Sequence, residues 1–363
     1  MDSKRLTWFL EQHHAQQDPI MEAQIERFCQ SPDGPIVPKN CLSIERLPEI
    51  FWQSETTGST SRASGYGFDP QGEPYRLRVN PAEDCPYELI RQGARMNVSP
   101  SSSRWSASLA GWLSDDTPVV FTKCIVMHFP NASEADKMRL DAERETGIRV
   151  GAEMAHIGQG MKHVSVLADD ALMWLEWNPH VDGTFRIMRD GDVVVASTNR
   201  RYTRFLQLPG TDKILGIWKN PDDRDIGSGI GWIDERRHIS GEYMDVVESH
   251  GAVLLIGTRS GDQGVRAYTF YPDVMRIESP GRLRHITDYL GGYREYPGGN
   301  SYDYIQRSRH GFQRWMTYRP RGGLVSEPSF AAVSPIFEQD GRHRYYGITD
   351  RHLCLMELPD NVD

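Results

Sequence analysis

The sequence predicts an all-β chain built from one four-stranded unit repeated seven times, and three observations carry that reading. First, short alternating apolar runs are separated by Asp-Gly, Gly-Thr and similar pairs, which tolerate positive φ and make tight hairpins. Second, the turn between the first and second strand of each unit falls at positions 72, 116, 170, 211, 251, 299 and 341, at intervals of 40–54 residues. That is the spacing of β-propeller blades. Third, the last unit stops after three strands at Leu358, while a spare strand-like segment, Cys41 to Trp52, precedes the first unit. An N-terminal strand that completes the last blade would close the ring and cover its edges. The expected architecture is one seven-bladed β-propeller over residues 41–363, with residues 1–40 as a helical extension packed on it.

The elements follow in chain order. Asp18-Pro19 reads as an N-cap with proline at the first helical position, and Ile20, Met21, Ile25 and Phe28 share one face behind it. The first unit is Ser64–Phe68, a turn at Gln71-Gly72, and Pro74–Val79. The second is Trp105–Leu113, a turn at Asp115-Asp116, Pro118–Lys123 and Cys124–Phe129. A helical insertion, Ser133–Glu145, explains its greater length, with Ser133 as N-cap and Glu134 and Asp136 in the dipole-favoured first turn. The next three units have the strand sets His163–Leu167, Ala171–Trp177 and Thr184–Met188; Tyr202–Leu208, Lys213–Lys219 and Ile230–Asp234; and Met244–Glu248, Ala252–Thr258 and Val265–Tyr271. The sixth has Arg284–Tyr289, Tyr302–Arg307 and Phe312–Tyr318, and the seventh has Phe330–Phe337, Arg342–Ile348 and Leu353–Leu358.

Composition excludes several classes. With 38% apolar and 25% charged residues the chain is neither disordered nor a coiled coil. Fifty acidic residues against 41 basic ones give a net charge of −9, the wrong balance for wrapping nucleic acid. Only seven of the basic residues are lysine; the rest are arginines, whose guanidinium forks suit carboxylates or an anionic ligand. No apolar run reaches the roughly 18 residues of a membrane span, and Leu6–Leu10 is too short for the apolar core of a secretory signal. The five cysteines (29, 41, 85, 124 and 354) are odd in number and lack zinc-knuckle spacing. The expectation is a cytoplasmic protein with reduced, mostly buried thiols.

In a propeller the first strand of each blade lines the central channel, so residues at those strand starts are the candidates for chemistry. They are Ser61 and Arg62; Arg104 and Trp105; Lys162 and His163; Arg201 and Tyr202; Glu242 and Tyr243; Arg284 and His285; and Glu327 and Ser329. Guanidinium, imidazole and phenol groups converging in a funnel suit an anionic, hydroxyl-rich ligand, most simply an acidic sugar. A lyase would hold a uronate carboxylate with Arg62, Arg201 or Arg284, with Arg104 and Tyr243 as further binding groups. His163, His285 or Tyr202 would then remove the adjacent proton. A hydrolase would instead use a carboxylate pair, Glu242 and Glu327. No dedicated metal site or cofactor motif is present, although His163 and His285 are of the type that binds a divalent metal. The alternative is a non-catalytic platform that binds a protein or a sugar.

Three motifs are decoys. Pro221–Gly229 gathers acids before glycines but lacks calcium-loop spacing. Gly227–Gly231 has no surrounding strand–helix unit for a dinucleotide. Ser260-Gly261-Asp262-Gln263-Gly264 resembles the start of the sialidase Asp-box, which would mark a structural turn; Ala267 stands where that box has an aromatic. The repeat also resembles WD40 blades, which implies protein binding, but lacks their Gly-His opening and Trp-Asp ending. In architecture alone it resembles cytoplasmic seven-bladed oligouronide lyases, with no motif carried over.

Overall fold

The computed structural model describes residues 40–52, 65–79, 87–98, 105–124, 140, 143–178, 180, 184–208, 211–220, 227–235, 237–249, 251–260, 262, 264–278, 286–296, 301–307, 312–320, 323–349 and 352–358. Both expected helices fall outside them, apart from the last residues of Ser133–Glu145. The described chain is almost entirely antiparallel β-structure. It divides into one unit of residues 1–53, 66–68 and 287–363 and another of residues 54–65 and 69–286. Among the described residues no helix is long and apolar enough to cross a membrane.

The larger unit holds a succession of antiparallel sheets. The first contains β3 (Pro74–Val79), β4 (Tyr87–Arg91) and β5 (Ala94–Asn97), after β2 (Gly65–Phe68) at the unit boundary. The second is β6 (Trp105–Trp112), β7 (Pro118–Cys124), β8 (Glu145–Val150) and β9 (Glu153–Gln159). The third is β10 (Met161–Val166), β11 (Leu172–Trp177), β12 (Phe185–Arg189) and β13 (Asp192–Thr198). Then come β14 (Tyr202–Gln207), β15 (Ile214–Lys219), β16 (Ser228–Trp232), β17 (His238–Ser249), β18 (Ala252–Arg259), β19 (Arg266–Tyr271) and β20 (Arg276–Glu278), hydrogen-bonded in that order.

The turns fold as their chemistry directs. Asp69 Oδ1 accepts the backbone N–H of Gln71 at 2.9 Å, Asp115 Oδ1 that of Thr117 at 3.0 Å, and Asp169 Oδ1 that of Ala171 at 3.2 Å. The same side-chain-to-backbone turn thus recurs in three consecutive units. Positive φ follows at Gly72, Asp116 and Asp170, and again at Gly251, Asp340 and Gly341. Second strands such as β11 and β15 are buried along nearly their whole length, whereas the last strands β9 and β13 are mostly exposed. Continuous burial means that both faces of a sheet are covered. Consecutive sheets do stack: Met173, Leu175 and Ile187 pack against Tyr202, Phe205 and Trp218, and Val119 and Ile148 pack against Met161, Leu172 and Trp174. Leu215, Ile217 and Trp232 meet Tyr243, Leu255 and Phe270 in the same way.

Strand β17 serves two sheets. Its residues Ile239 and Ser240 pair with Ile230 and Gly229 of β16, and the stretch from Gly241 to Ser249 pairs with β18. Gly241 makes the junction at φ +151°, where a Cβ would stand 2.6 Å from the Thr258 carbonyl oxygen. Only glycine fits that conformation and that approach.

In the smaller unit, β21 (Tyr289–Glu295), β22 (Tyr302–Arg307), β23 (Gln313–Arg319) and β24 (Gly323–Ser326) form one sheet. The last sheet joins β25 (Ala332–Val333), β26 (Phe337–Gln339), β27 (Arg342–Ile348), β28 (His352–Glu357) and β1 (Cys41–Arg46). As expected from the missing strand, β1 pairs antiparallel with β28, Ile44 opposite Cys354 and Arg46 opposite His352. Trp315 and Ile305 pack on Phe330, Tyr345 and Met356, so these two sheets stack as well.

Several sequence expectations are corrected. The first strand of the sixth unit is Tyr289–Glu295 rather than Arg284–Tyr289. The strand at Cys41 ends at Arg46, because Pro48 cannot donate to a ladder; a single helical turn, α1 (Glu49–Trp52), follows. The Phe330–Phe337 strand is broken by Pro335 into β25 and β26. The strand that pairs with β7 as the third of the second unit is Glu145–Val150, where Cys124–Phe129 was expected; residues 125–129 lie outside the described ones, and Glu145 opens a strand where a helix was expected to end.

Candidate functional site

The larger unit contains a cavity of about 450 Å³ where β10 lies beside β6 and β14. Its lining includes Lys123 at the end of β7, Arg144 just before β8, Thr146, Lys162 and His163 at the start of β10, and Thr203 in β14. Three cationic side chains and an imidazole thus share one concave surface with three hydroxyl residues, Ser108, Thr146 and Thr203. The apolar remainder of the wall comes from Leu109, Ala110, Phe121, Met161 and Val164.

Local geometry explains why His163 stands there. The pairing of β10 with β11 slips between Lys162 and Ser165, so His163 occupies a bulge, and its φ is +52°. Bulges re-aim side chains and concentrate beside functional sites, and a non-glycine residue in this conformation carries strain. The imidazole is open to the cavity yet crowded by protein elsewhere. Its pKa lies below the usual 6.5, first through lost hydration and then through the charges of Lys162 and Lys123. At neutral pH it is a neutral base in a positive field. The lysine ammonium of residue 162 also lies 5.8 Å from the Phe185 ring centroid, which orients it.

Of the residues singled out from sequence, His163 and its neighbour Lys162 line this cavity. Arg62, Arg104, Arg284 and His285 lie outside the described residues. Tyr202 is 1% exposed and Tyr243 is 7% exposed. The ring of Tyr202 covers Gly216, where a Cβ would come within 2.3 Å, and that of Tyr243 covers Gly257 in the same way. Their phenols are pushed up by burial. Neither borders the cavity; each is an aromatic lid over a glycine of the next strand. Arg201 is exposed, and Asn220 Oδ1 accepts its backbone N–H at 2.8 Å. Glu242 is exposed and pairs with Lys219 at 2.9 Å.

Glu327 belongs to the smaller unit. It is 6% exposed, and its carboxyl is pushed up to about 7, first by burial and then by the charge of Asp303. Asp303 is fully buried and accepts from Thr317 Oγ1 at 2.9 Å and Arg319 Nη1 at 3.4 Å. Nearby, His343 Nε2 is 2.7 Å from Arg294 Nη2; since a guanidinium only donates, the imidazole accepts there and is neutral. Among the described residues no group of three or more His, Cys, Asp or Glu side chains converges as a metal site.

Sequence reasoning missed Lys123 and Arg144 because only the starts of first strands were collected. Nothing in the linear pattern marks Lys123 or Arg144 as neighbours of His163, because they reach the cavity from the end of β7 and the approach to β8.

Fold and site together define an all-β protein of stacked antiparallel sheets with a cation-lined cavity between strands. No protein-family model matches the chain, and no curated protein matches it. Among solved structures it is similar to a puromycin-hydrolyzing peptidase of Mycobacterium tuberculosis, at 9% identity and a TM-score of 0.41 over 81% of this chain and 51% of that one. The chain thus spans about half of that peptidase. It is also similar to the oligogalacturonate lyase of Vibrio parahaemolyticus, at 10% identity and a TM-score of 0.43 over 89% and 98%. The lectin BP39L of Burkholderia pseudomallei gives 10% and 0.39 over 83% and 97%. At these TM-scores none of the likenesses assigns the chain an activity or a ligand.

Proposed function

We propose that the chain is a seven-bladed β-propeller enzyme that binds an acidic sugar in the cation-lined cavity and removes a proton from it with His163. The blade count rests on β17: counted as the last strand of one blade and the first of the next, it divides the seven-stranded run into two four-stranded blades. The adjacency of the first strands β6, β10 and β14 fits strands lining a common axis.

One observation carries the function: a histidine with a lowered pKa is surrounded by Lys123, Arg144 and Lys162 in a cavity of sugar size. The cations bind a uronate carboxylate and take up the charge that develops on it as the α-proton leaves. His163 accepts that proton. The electron pair forms a carbon–carbon double bond and expels the β-substituent, whose oxygen takes a proton from the medium. Elimination fits better than hydrolysis, since Glu242, one of the two carboxylates a hydrolase would use, is held by Lys219 on the exposed surface.

The test is a thermal-shift screen of galacturonate, glucuronate, sialic acid and sugar phosphates, followed by absorbance of the unsaturated product. A ligand at 100 times its Kd adds about 2.7 kcal/mol. Lys123→Ala and Lys162→Ala should each reduce the shift. His163→Ala should keep it while losing about 10²–10⁴ in rate. In the wild type the rate should rise with pH through a pKa below 6.5 and level off by neutrality, because the base works only when deprotonated. A shift that survives both lysine replacements would overturn the assignment of the site.

A further inference from the structure

Cys41 opens β1, and Cys354 lies in β28, the strand against which β1 closes the last sheet. The register sets Cys41 opposite Met356, which puts Cys354 diagonally across on the same face of the sheet. Both side chains belong to one apolar cluster with Tyr345 and Met356; Cys354 is 2% exposed and Cys41 is half-buried at its edge. Cys41 donates its S–H to the Ser43 carbonyl at 3.3 Å, and the two thiols lie near enough to influence each other's ionisation. The two thiols thus share one face of the seam between β1 and β28, where no loop connects the strands.

We propose that Cys41 and Cys354 form a redox pair whose disulfide fastens β1 to β28. Their roles differ. Cys41 is the outer, half-buried thiol, which an oxidant in solution can reach, whereas Cys354 is 2% exposed and lies behind it in the cluster. Cys41 therefore attacks and Cys354 resolves. With hydrogen peroxide as oxidant, the Cys41 thiolate attacks one peroxide oxygen, the O–O bond breaks, and a sulfenic acid forms as hydroxide leaves and takes up the proton Cys41 had released, giving water. The Cys354 sulfur then attacks the Cys41 sulfur, the S–S bond forms, the S–OH bond breaks, and hydroxide leaves with the Cys354 proton as a second water. Two thiols are oxidised and one peroxide is reduced. Burial disfavours the thiolate at both positions, so the step is slow and the bond, once formed, is shielded from reductant by the same cluster.

The consequence is a chemically conditional closure. In the thiol state β1 is held by its ladder and by the side chains it buries, and can leave as a unit. In the disulfide state it cannot, and the cross-link spans nearly the whole described chain.

The test uses the full-length protein, fully reduced, then treated with hydrogen peroxide and quenched with N-ethylmaleimide. The expected result is joint loss of two alkylatable thiols, a mass lower by about 2 Da when read before alkylation, and a peptide joining Cys41 to Cys354 that dithiothreitol releases. The oxidised protein should melt on the order of 5 °C higher than the reduced one. Cys41→Ser and Cys354→Ser should each abolish the linkage and the shift, whereas Cys124→Ser should leave both. Cys41 trapped as sulfinic acid with Cys354 still alkylated, Cys41 linked to Cys29, or no change in mass would each overturn the proposal. The wild-type peptide map decides the matter even if a variant fails to fold.

Discussion

Replacing Glu327 by glutamine removes one titratable group while keeping its shape, and the structure sets the size and sign of the effect. The carboxyl is 6% exposed and its pKa is raised from 4.5 to about 7, chiefly by burial. A raised carboxyl pKa means that the folded chain holds a proton that the unfolded chain releases. The stability this proton contributes is fully present below pH 4.5 and gone above about 7. At 1.36 kcal/mol per unit the difference amounts to about 3 kcal/mol. Glu327→Gln cannot ionise, so the stability of the variant relative to the wild type should climb by about that much between pH 4.5 and 7 and then stay level. The assay is urea unfolding of both proteins in half-unit pH steps. Because burial outranks Asp303 as the cause, the climb should persist in an Asp303→Asn background, compressed toward lower pH. A stability difference that is flat from pH 4.5 to 7 would refute the claim that the carboxyl is held protonated by burial.

Two further perturbations probe the fold. Gly241→Ala puts a Cβ against the Thr258 carbonyl at a φ reserved for glycine, and should cost about 2 kcal/mol or more. Gly251→Ala, with positive φ but open space around it, should cost only about 1 kcal/mol; equal costs by denaturant unfolding would remove the special role of the β17 junction. Arg78 and Glu88 sit opposite each other on β3 and β4 as a buried ion pair. Glu88→Gln should therefore destabilise by about 3–5 kcal/mol, and the double replacement Arg78→Met/Glu88→Leu should recover most of that loss in thermal melts.

Much of the architecture was legible in the residues because its causes are local. Asp69, Asp115 and Asp169 cap their own turns, the apolar runs around them alternate or fill as strands do, and the recurrence of both at intervals of 40–54 residues announces a repeated unit. Even the pairing of β1 with β28 was accessible, since a unit lacking its last strand and a strand lacking a unit complete each other. By itself, then, the sequence determined the all-β class, most strand positions and the strand that completes the last sheet.

Tertiary structure alone decided the rest, for reasons of distance along the chain. The partner of β7 is chosen by hydrogen bonding across an insertion, so Glu145–Val150 could not be told from Cys124–Phe129 by local pattern. Whether an aromatic at a strand start faces ligand or core depends on what lies across from it: Tyr202 and Tyr243 turn inward because Gly216 and Gly257 leave room on the neighbouring strand. The cavity draws on β6, β7, β8, β10 and β14, so Lys123, Arg144 and Lys162 meet His163 only when three sheets stack. Periodicity along the chain is a property of single strands; convergence of charge belongs to the packing between them.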